Sequence, residues 1–580
     1  MASFLQFLDQ HGVYFVWNPI FLSLPPLFLA LLFLLKCFST PSTTPQKKLP
    51  PSPPKLPVIG NLLQLGLQPH RSLQSLAQRH GPFMLLHFGS VPVLVASSAD
   101  AACAIMKTHD LVFSNRPKLS INGKLFYNFR DVANSPYNEY WRQIRSICVL
   151  QLLSNRRVES SRTVRHDERV LLVENIERAS ESSGWVDLSQ MLVGMTNDVV
   201  CRVALGRKYG EGRRGFREIL DQFVELLGGF YIGDYIPWLG WVNRVSGVDG
   251  KAERVFREMD SFLDEVVEEH SRKREGGKVE GDEGKDFVDV LLEIQKDNTA
   301  GFSLDRECIK ALILDMFAAG TDTTYLVLEW AMAELLRHPA AMKELQNEVR
   351  GISFGTKLHI AEEDLGKMHY LKAVIKETLR LHPPDPLLVP RESTRDVRVN
   401  GYDIAAGTMT IINAWAIGRD PAFRDEPEEF WPERFLNSSV DFRGQDFQLI
   451  PFGAGRRGCP GTSFAMATIE IVLANIVCLF DWALPGGARG EDLDMTDDGS
   501  IPSQQKAAAL LQYLRRRLPC SVNISGSTCF AGNVDISGRP LLNFLLPLVC
   551  IYTCVCGVVN QSAECAECSA VRDKRELSEC

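Results

Sequence analysis

An excess of positive charge is missing from this chain. Its 580 residues carry 63 lysines and arginines against 71 aspartates and glutamates, a formal charge of −8, so no nucleic-acid partner is expected. A disulfide framework is missing from most of its length. Seven cysteines lie scattered before residue 500 and eight crowd into 520–580. The first 500 residues therefore read as a reduced, cytosol-facing protein. There is no internal repeat. The apolar run Pro19–Leu35 has no basic region before it and no small-residue cleavage site after it, which weighs against a cleaved signal peptide.

What that run does offer is just enough length for one membrane helix. Ser23 interrupts it, and Pro25-Pro26 would kink, tilt or shorten it. Asp9 precedes it, and Lys36, Lys47, Lys48 and Lys55 follow. By the positive-inside rule the body beyond lies in the cytosol. Residues 1–40 are thus expected to form a retained anchor. Within 41–60, Leu49-Pro-Pro-Ser-Pro-Pro-Lys-Leu-Pro57 is a stiff, extended linker.

Beyond it, Phe83–His87 and Pro92–Ala96 read as a hairpin around Gly89-Ser90. Most of the chain from Ser98 to about Arg517 has helical spacing of apolar and charged residues. Val397–Gly401 and Thr408–Asn413 look like short strands. The expected class is mainly α with small β-sheets.

Four stretches carry chemistry. In Phe452-Gly-Ala-Gly-Arg-Arg-Gly-Cys-Pro-Gly461 one cysteine stands among glycines and arginines. The glycines let a backbone pass close to something flat and bulky and allow positive φ. Backbone N–H groups and arginines stabilise a thiolate, the state a metal ligand needs. The plainer alternative is a glycine-rich turn with a structural cysteine.

No proline separates Ser303 from Pro339. With Ser303 as N-cap the spacing predicts one helix of over thirty residues, about 50 Å long. Its middle, Ala318-Ala-Gly-Thr-Asp-Thr-Thr324, is a poor helical sequence. Glycine costs about 1 kcal/mol there, and threonines bond back to the helix. Glu377 and Arg380 share one helix face, a pair of little value on a surface. Apolar neighbours and the stop at His382-Pro-Pro384 argue that they are inside. Trp141 and Arg145 also share a helix face.

Together these motifs, in this order, resemble the cytochrome P-450 family over residues 50 to 496. Longer strings, among them Leu388-Val-Pro-Arg-Glu-Ser393 and Ile411-Ile-Asn-Ala-Trp-Ala-Ile-Gly-Arg-Asp420, are similar to plant family seventy-one, subfamily A. The resemblance implies a haem-thiolate catalytic domain over 61–496. Haem b would be the cofactor and Cys459 its iron ligand, with Phe452, Gly455 and Gly461 in the loop. Trp141, Arg145, Arg391 and Arg457 would hold the haem propionates. Ala319 and Gly320 would leave room for dioxygen and substrate. Asp322-Thr323 would be the acid–alcohol pair, Thr323 holding a water and Asp322 relaying protons. Arg434, in Pro432-Glu-Arg-Phe435, would complete a structural cluster with Glu377 and Arg380.

The implied activity is monooxygenation of a small lipophilic, terpenoid-like plant metabolite. Electrons would come from NADPH through a cytochrome reductase, at the endoplasmic reticulum membrane. A dehydratase or isomerase using the same haem is the alternative, and a haem protein inactivated by its altered C-terminus a further one. The pocket is expected from the Leu111–Asn134 loop, Leu312–Thr324 and Leu387-Leu388-Val389. Asp385 departs from the family's small or apolar residue. It is expected to face solvent, with a carboxyl at the pocket rim as the other reading. After Met495 the resemblance stops. Residues 497–580 form a divergent, cysteine-rich tail with no zinc spacing. Two readings of it stay open: a second membrane segment at Leu541–Val559, or a translated intron or shifted frame.

Overall fold

The structure, a computed structural model, describes residues 47–495 except 184–185, 210–215, 276–283, 298–303, 354–358, 485–487 and 494, together with Phe28. The expected anchor (Phe28 apart), the N-cap Ser303 and the 497–580 tail lie outside the described residues.

Phe83–Phe88 (β1) and Val91–Ala96 (β2) form the expected hairpin. Gly89 at its turn has φ +56°, and a Cβ there would lie 2.4 Å from the Tyr235 carbonyl oxygen. Both the angle and the close approach need glycine. Arg391–Glu392 (β3), Val397–Val399 (β4), Tyr402–Ile404 (β5) and Met409–Ile412 (β6) follow. The larger sheet runs β1-β2-β6-β3, with β2 and β6 parallel and the other pairs antiparallel. β4 and β5 pair separately. Strand β6 is buried throughout, so its aliphatic run suits a sheet covered on both faces.

Most of the remainder of the described chain is helical. Arg306–Gly320 and Asp322–Arg337 run through the middle, packed on Leu188–Leu205, His369–Leu381 and Thr462–Leu479. Arg306–Arg337 and Thr462–Leu479 are long and apolar enough to cross a membrane, yet both are largely buried within the protein. They are core helices, apolar nearly all round because protein surrounds them.

The single helix expected from Ser303 to Pro339 is two. Its cap is Asp305, extended at φ −81° and ψ 171°, whose side chain accepts from the Cys308 N–H. The helix ends at Gly320, and Thr321 separates it from the next. Across the break Thr323 and Thr324 donate their hydroxyls to the Ala319 and Gly320 carbonyls, at 2.6 and 2.9 Å. Hydroxyls thus satisfy carbonyls beside the break.

Behind this layer Glu377 is fully buried. Arg380 grips it with two bonds, at 2.7 and 2.8 Å, and Arg434 Nε donates to it at 3.0 Å. The two arginines also donate to the carbonyls of Gly418, Asp425, Glu426, Pro427 and Glu429. The cluster therefore fastens the irregular 418–435 chain to the His369–Leu381 helix.

Candidate active site

The loop before the last long helix closes on itself. Cys459 gives its backbone N–H to the Phe452 carbonyl at 2.9 Å, and Gly458 gives its own to Gly455 at 3.0 Å. Gly453 and Gly455 take φ of +65° and +69°. A Cβ on Gly455 would lie 2.4 Å from the Met106 carbonyl oxygen and 2.7 Å from Asp110 Oδ1. The space this glycine frees is filled by protein. At Gly461 a Cβ would meet only the Cys459 sulfur, at 3.8 Å.

The thiol lies at the start of the Thr462–Leu479 helix. Burial, the largest influence, pushes its pKa up; N–H groups of Gly461 and Thr462, the Thr462 hydroxyl and Arg145 pull the other way. Although it is deep enough for desolvation to dominate, Cys459 retains exposed surface.

The central helices supply a matching wall. Residues 308–315 and 324–336 are buried, whereas Ala319 is exposed and Ala318, Gly320, Asp322 and Thr323 are half-buried. Arg145 ties the two walls. It donates to the Gly458 carbonyl and interacts electrostatically with both Cys459 and Asp315. Asp315 is one helical turn before Ala319, on the same face.

Arg145, Arg391 and Arg457 come together here with Arg116, which no sequence motif marks. Arg457 is lowered to about 9, first by burial and then by Arg391. Arg116 and Arg391 are lowered by burial too, and Arg116 also by the other two. Arg457 donates to the carbonyls of Ser114, Val132 and Ser135, and lies 4.0 Å over the Trp141 ring. Trp141 gives its indole N–H to Val132 at 3.0 Å. Arg391 donates to the Ala454 carbonyl and to Asp110. Arg456 also takes Asp110, at 2.7 Å. Three buried cations, with the half-buried Arg145 beside Arg457, suit a bound dianion.

Two expectations are corrected. Asp385 is not the freely solvated carboxylate expected. It is half-buried, and its Oδ1 is inaccessible and without a hydrogen-bond partner. Burial pushes its carboxyl up to about 7, against the pull of Arg116. Pro384 and Pro386 fix the chain on either side of it. Leu387, expected in the pocket, packs instead into the core beneath the sheet, with Met84 and Met409.

This donor set fits a thiolate-ligated haem: one accessible sulfur, cations for the propionates, and a turn of small, accessible residues in the central helices. The comparisons with known proteins agree. The family model described as "Cytochrome P450" matches residues 50–510. Cytochrome P450 736A117 of Prunus mume is 59% identical over 494 residues, covering 84% of this chain and 94% of its own. Norfluorocurarine oxidase of a Strychnos species is 55% identical over 488 residues, covering 83% and 95%. Cytochrome P450 71A4 of Solanum melongena is 55% identical over 491 residues, covering 84% and 96%. A zebrafish cytochrome P450 structure with progesterone superposes with TM-score 0.65 at 23% identity, over 78% of this chain and 99% of that one, and shares the fold. The chain belongs to the cytochrome P450 family, with haem b as its cofactor and haem-thiolate monooxygenation as its enzyme class.

Proposed function

We propose that this enzyme inserts one atom of dioxygen into a small lipophilic, terpenoid-like plant metabolite. Electrons come from NADPH through a cytochrome reductase. The observation that carries the reading is the deep yet accessible Cys459 thiol, linked through Arg145 to Asp315, one turn before the accessible Ala319. When bound there, haem supplies the iron at which dioxygen is activated.

The chain's own residues do the rest. Cys459 ligates, and its N–H neighbours offset part of the cost of a buried thiolate. Arg145, Arg391 and Arg457 hold the propionates, Trp141 stacking beneath Arg457. Phe452, Gly455 and Gly461 shape the loop. Ala319 and Gly320 keep the opposite wall low. The Thr323 hydroxyl donates to Ala319, so its oxygen is left to accept a hydrogen bond from a water. Asp322 passes protons from solvent to that water.

The surface supports a membrane-bound enzyme of the endoplasmic reticulum. The β1–β2 turn touches two exposed apolar segments: Gly89 N–H reaches the Ile59 carbonyl, and Ser90 N–H reaches Tyr235. On one segment Leu56, Val58, Leu63 and Leu67 are exposed. On the other Trp238, Trp241 and Val245 are 66%, 60% and 76% exposed. Such a patch suits a lipid surface.

The test is reconstitution with the reductase and a terpenoid panel, with and without NADPH. Product that needs both reductase and NADPH supports monooxygenation. Product without NADPH assigns the dehydratase chemistry instead.

A further inference from the structure

Two buried acids beside the arginines have no part in the mechanism above. Asp131 is fully buried and Asp315 is 6% exposed. They flank a single peptide unit. The Val132 N–H, next in the chain after Asp131, donates to Asp315 Oδ2 at 2.6 Å. Asp315 also accepts from the Ala133 N–H. Asp131 Oδ2 takes the backbone and side-chain N–H groups of Asn134, both at 2.7 Å, while its Oδ1 has no partner.

The cations around the pair attract it only through space. Arg457, from the cysteine loop, and Arg116 act on Asp131. Arg457 gives Nε, Nη1 and Nη2 to the carbonyls of Ser114, Val132 and Ser135, and Arg116 gives Nε and Nη1 to carbonyls as well. Arg145, from the Glu139–Ile147 helix, acts on Asp315. The other titratable neighbours of Asp315, Cys148 and Cys308, are thiols that burial keeps neutral. Two carboxylates so close in a dry interior repel too strongly for both to ionise, so a proton stays in the pair. Burial raises Asp131 to about 6 against the pull of the Asn134 N–H groups, and burial, then Asp131, raises Asp315 well above the ordinary carboxyl value.

Arg145 connects the pair to the reaction centre, because it acts on both Cys459 and Asp315. Negative charge added at the Cys459 site makes a nearby acid hold its proton more firmly.

We propose that Asp131 and Asp315 are a proton-sharing pair that couples proton uptake to reduction of the enzyme. One electron enters from the reductase and one proton enters the pair from solvent, so the added charge is balanced. No substrate bond is made or broken in this step, and both acids are positioning residues for the electrostatics of electron entry. The proposal rests on the reading of Cys459 as the haem ligand.

The test is the reduction midpoint of the full-length holoenzyme, poised with mediators without NADPH or substrate, from about pH 5.5 to about pH 8.5. In the wild type the midpoint should fall as pH rises. The fall should begin near pH 6, where the oxidised pair starts to release its second proton. At its steepest it should approach one proton per electron, a tenfold shift of the equilibrium or about 59 mV per pH unit. Asp315→Asn keeps an acceptor for the Val132 and Ala133 N–H groups but removes the repulsion that holds the proton. Its slope should at least halve, with the thiolate-type band of the reduced carbon-monoxide complex retained. The propionates are common to both proteins, so a pH dependence of theirs appears in both curves. Asp131→Asn should flatten the slope in the same way. A pH-independent wild type, or equal slopes in wild type and variants, overturns the proposal. If neither variant takes up haem, infrared redox-difference spectra of the wild type decide. A protonated-carboxyl band gained on reduction and shifted in heavy water supports the pair, and its absence overturns it. Failure of the haem reading registers separately, as a wild type lacking the thiolate-type carbon-monoxide band.

Discussion

At Cys459 burial raises the thiol pKa while a helix N-terminus and Arg145 stabilise the anion. A metal is the partner that would tip this balance fully to thiolate. Cys459→Ala should therefore abolish the red-shifted thiolate band of the reduced carbon-monoxide complex. Persistence of the band, through another cysteine, would show the ligand to be misassigned. Thr323→Ala removes the hydroxyl beside the helix break, on which the proposed function places the proton-delivering water. Haem and substrate binding should survive. The product formed per NADPH should fall on the order of tenfold, the lost electrons appearing as hydrogen peroxide; unchanged coupling would remove Thr323 from the mechanism. These residues were legible because their motifs are local. Arg116 and Asp110 were not. Each reads as an ordinary surface charge until the fold brings Arg391 and the cysteine loop against it. Asp385, between two prolines, reads as an exposed turn; only the path of the chain turns its carboxyl inward.

Among elements, the sequence carried the unease of the central helix but not its outcome. Glycine, aspartate and three threonines in one apolar stretch marked position 320 as unusual, yet helix period alone cannot distinguish a bend from a break. Only the hydroxyl bonds to Ala319 and Gly320 decide it. Strands β1, β2, β4 and β6 were legible from their apolar runs; β3 and β5, two and three residues long, were not, and the 418–435 chain has no period of its own. Glu377, Arg380 and Arg434 hold it. Arg434→Ala leaves Glu377 with less charge compensation and takes one donor from each of the Asp425, Glu426 and Glu429 carbonyls. Stability should fall by roughly 3–5 kcal/mol, seen as lower haem retention and a lower midpoint in urea. A surface-like loss below about 1 kcal/mol would contradict the buried-cluster account.

A second inter-element clasp should respond to pH. Glu334 accepts from His382 at 2.6 Å and lies 3.3 Å from His338, and Trp330 stacks on His382 at 3.9 Å. Burial pushes the Glu334 carboxyl up, but the two histidines outweigh it and hold it at about 2. A depressed carboxylate stabilises the fold fully above its ordinary value and loses that stabilisation as pH falls toward 2. His338 is raised, chiefly by its bond to Glu334, so its share is complete below its ordinary value of 6.5 and fades as pH rises through the raised one. The clasp is therefore complete only between these windows. Glu334→Gln should flatten the fall of the melting temperature between about pH 5 and pH 3. Parallel curves for wild type and variant would remove Glu334 from the acid response.

For the whole molecule, fold class followed from helix and strand spacing, because a mainly helical body with one mixed sheet needs only local pattern and family motifs. The orientation of its surface did not follow. Trp238 and Trp241 sit in short helices, Pro237–Leu239 and Trp241–Val245, whose lengths carry no amphipathic signal. That they stand beside the exposed leucines of the linker depends on the hairpin turn between them. If this face lies on lipid, both indoles enter the interfacial zone, where tryptophan is favoured. The full-length enzyme in vesicles of brominated phospholipid should then show indole quenching that falls clearly in the Trp238→Phe/Trp241→Phe double variant. The loss should exceed the share that two of nine tryptophans contribute in ordinary lipid, because most of the others described are buried. Trp17, beside the apolar run, is quenched in both proteins and cancels in the comparison. Equal fractional quenching of wild type and double variant would place this face in water and leave the N-terminal run as the sole membrane attachment proposed here.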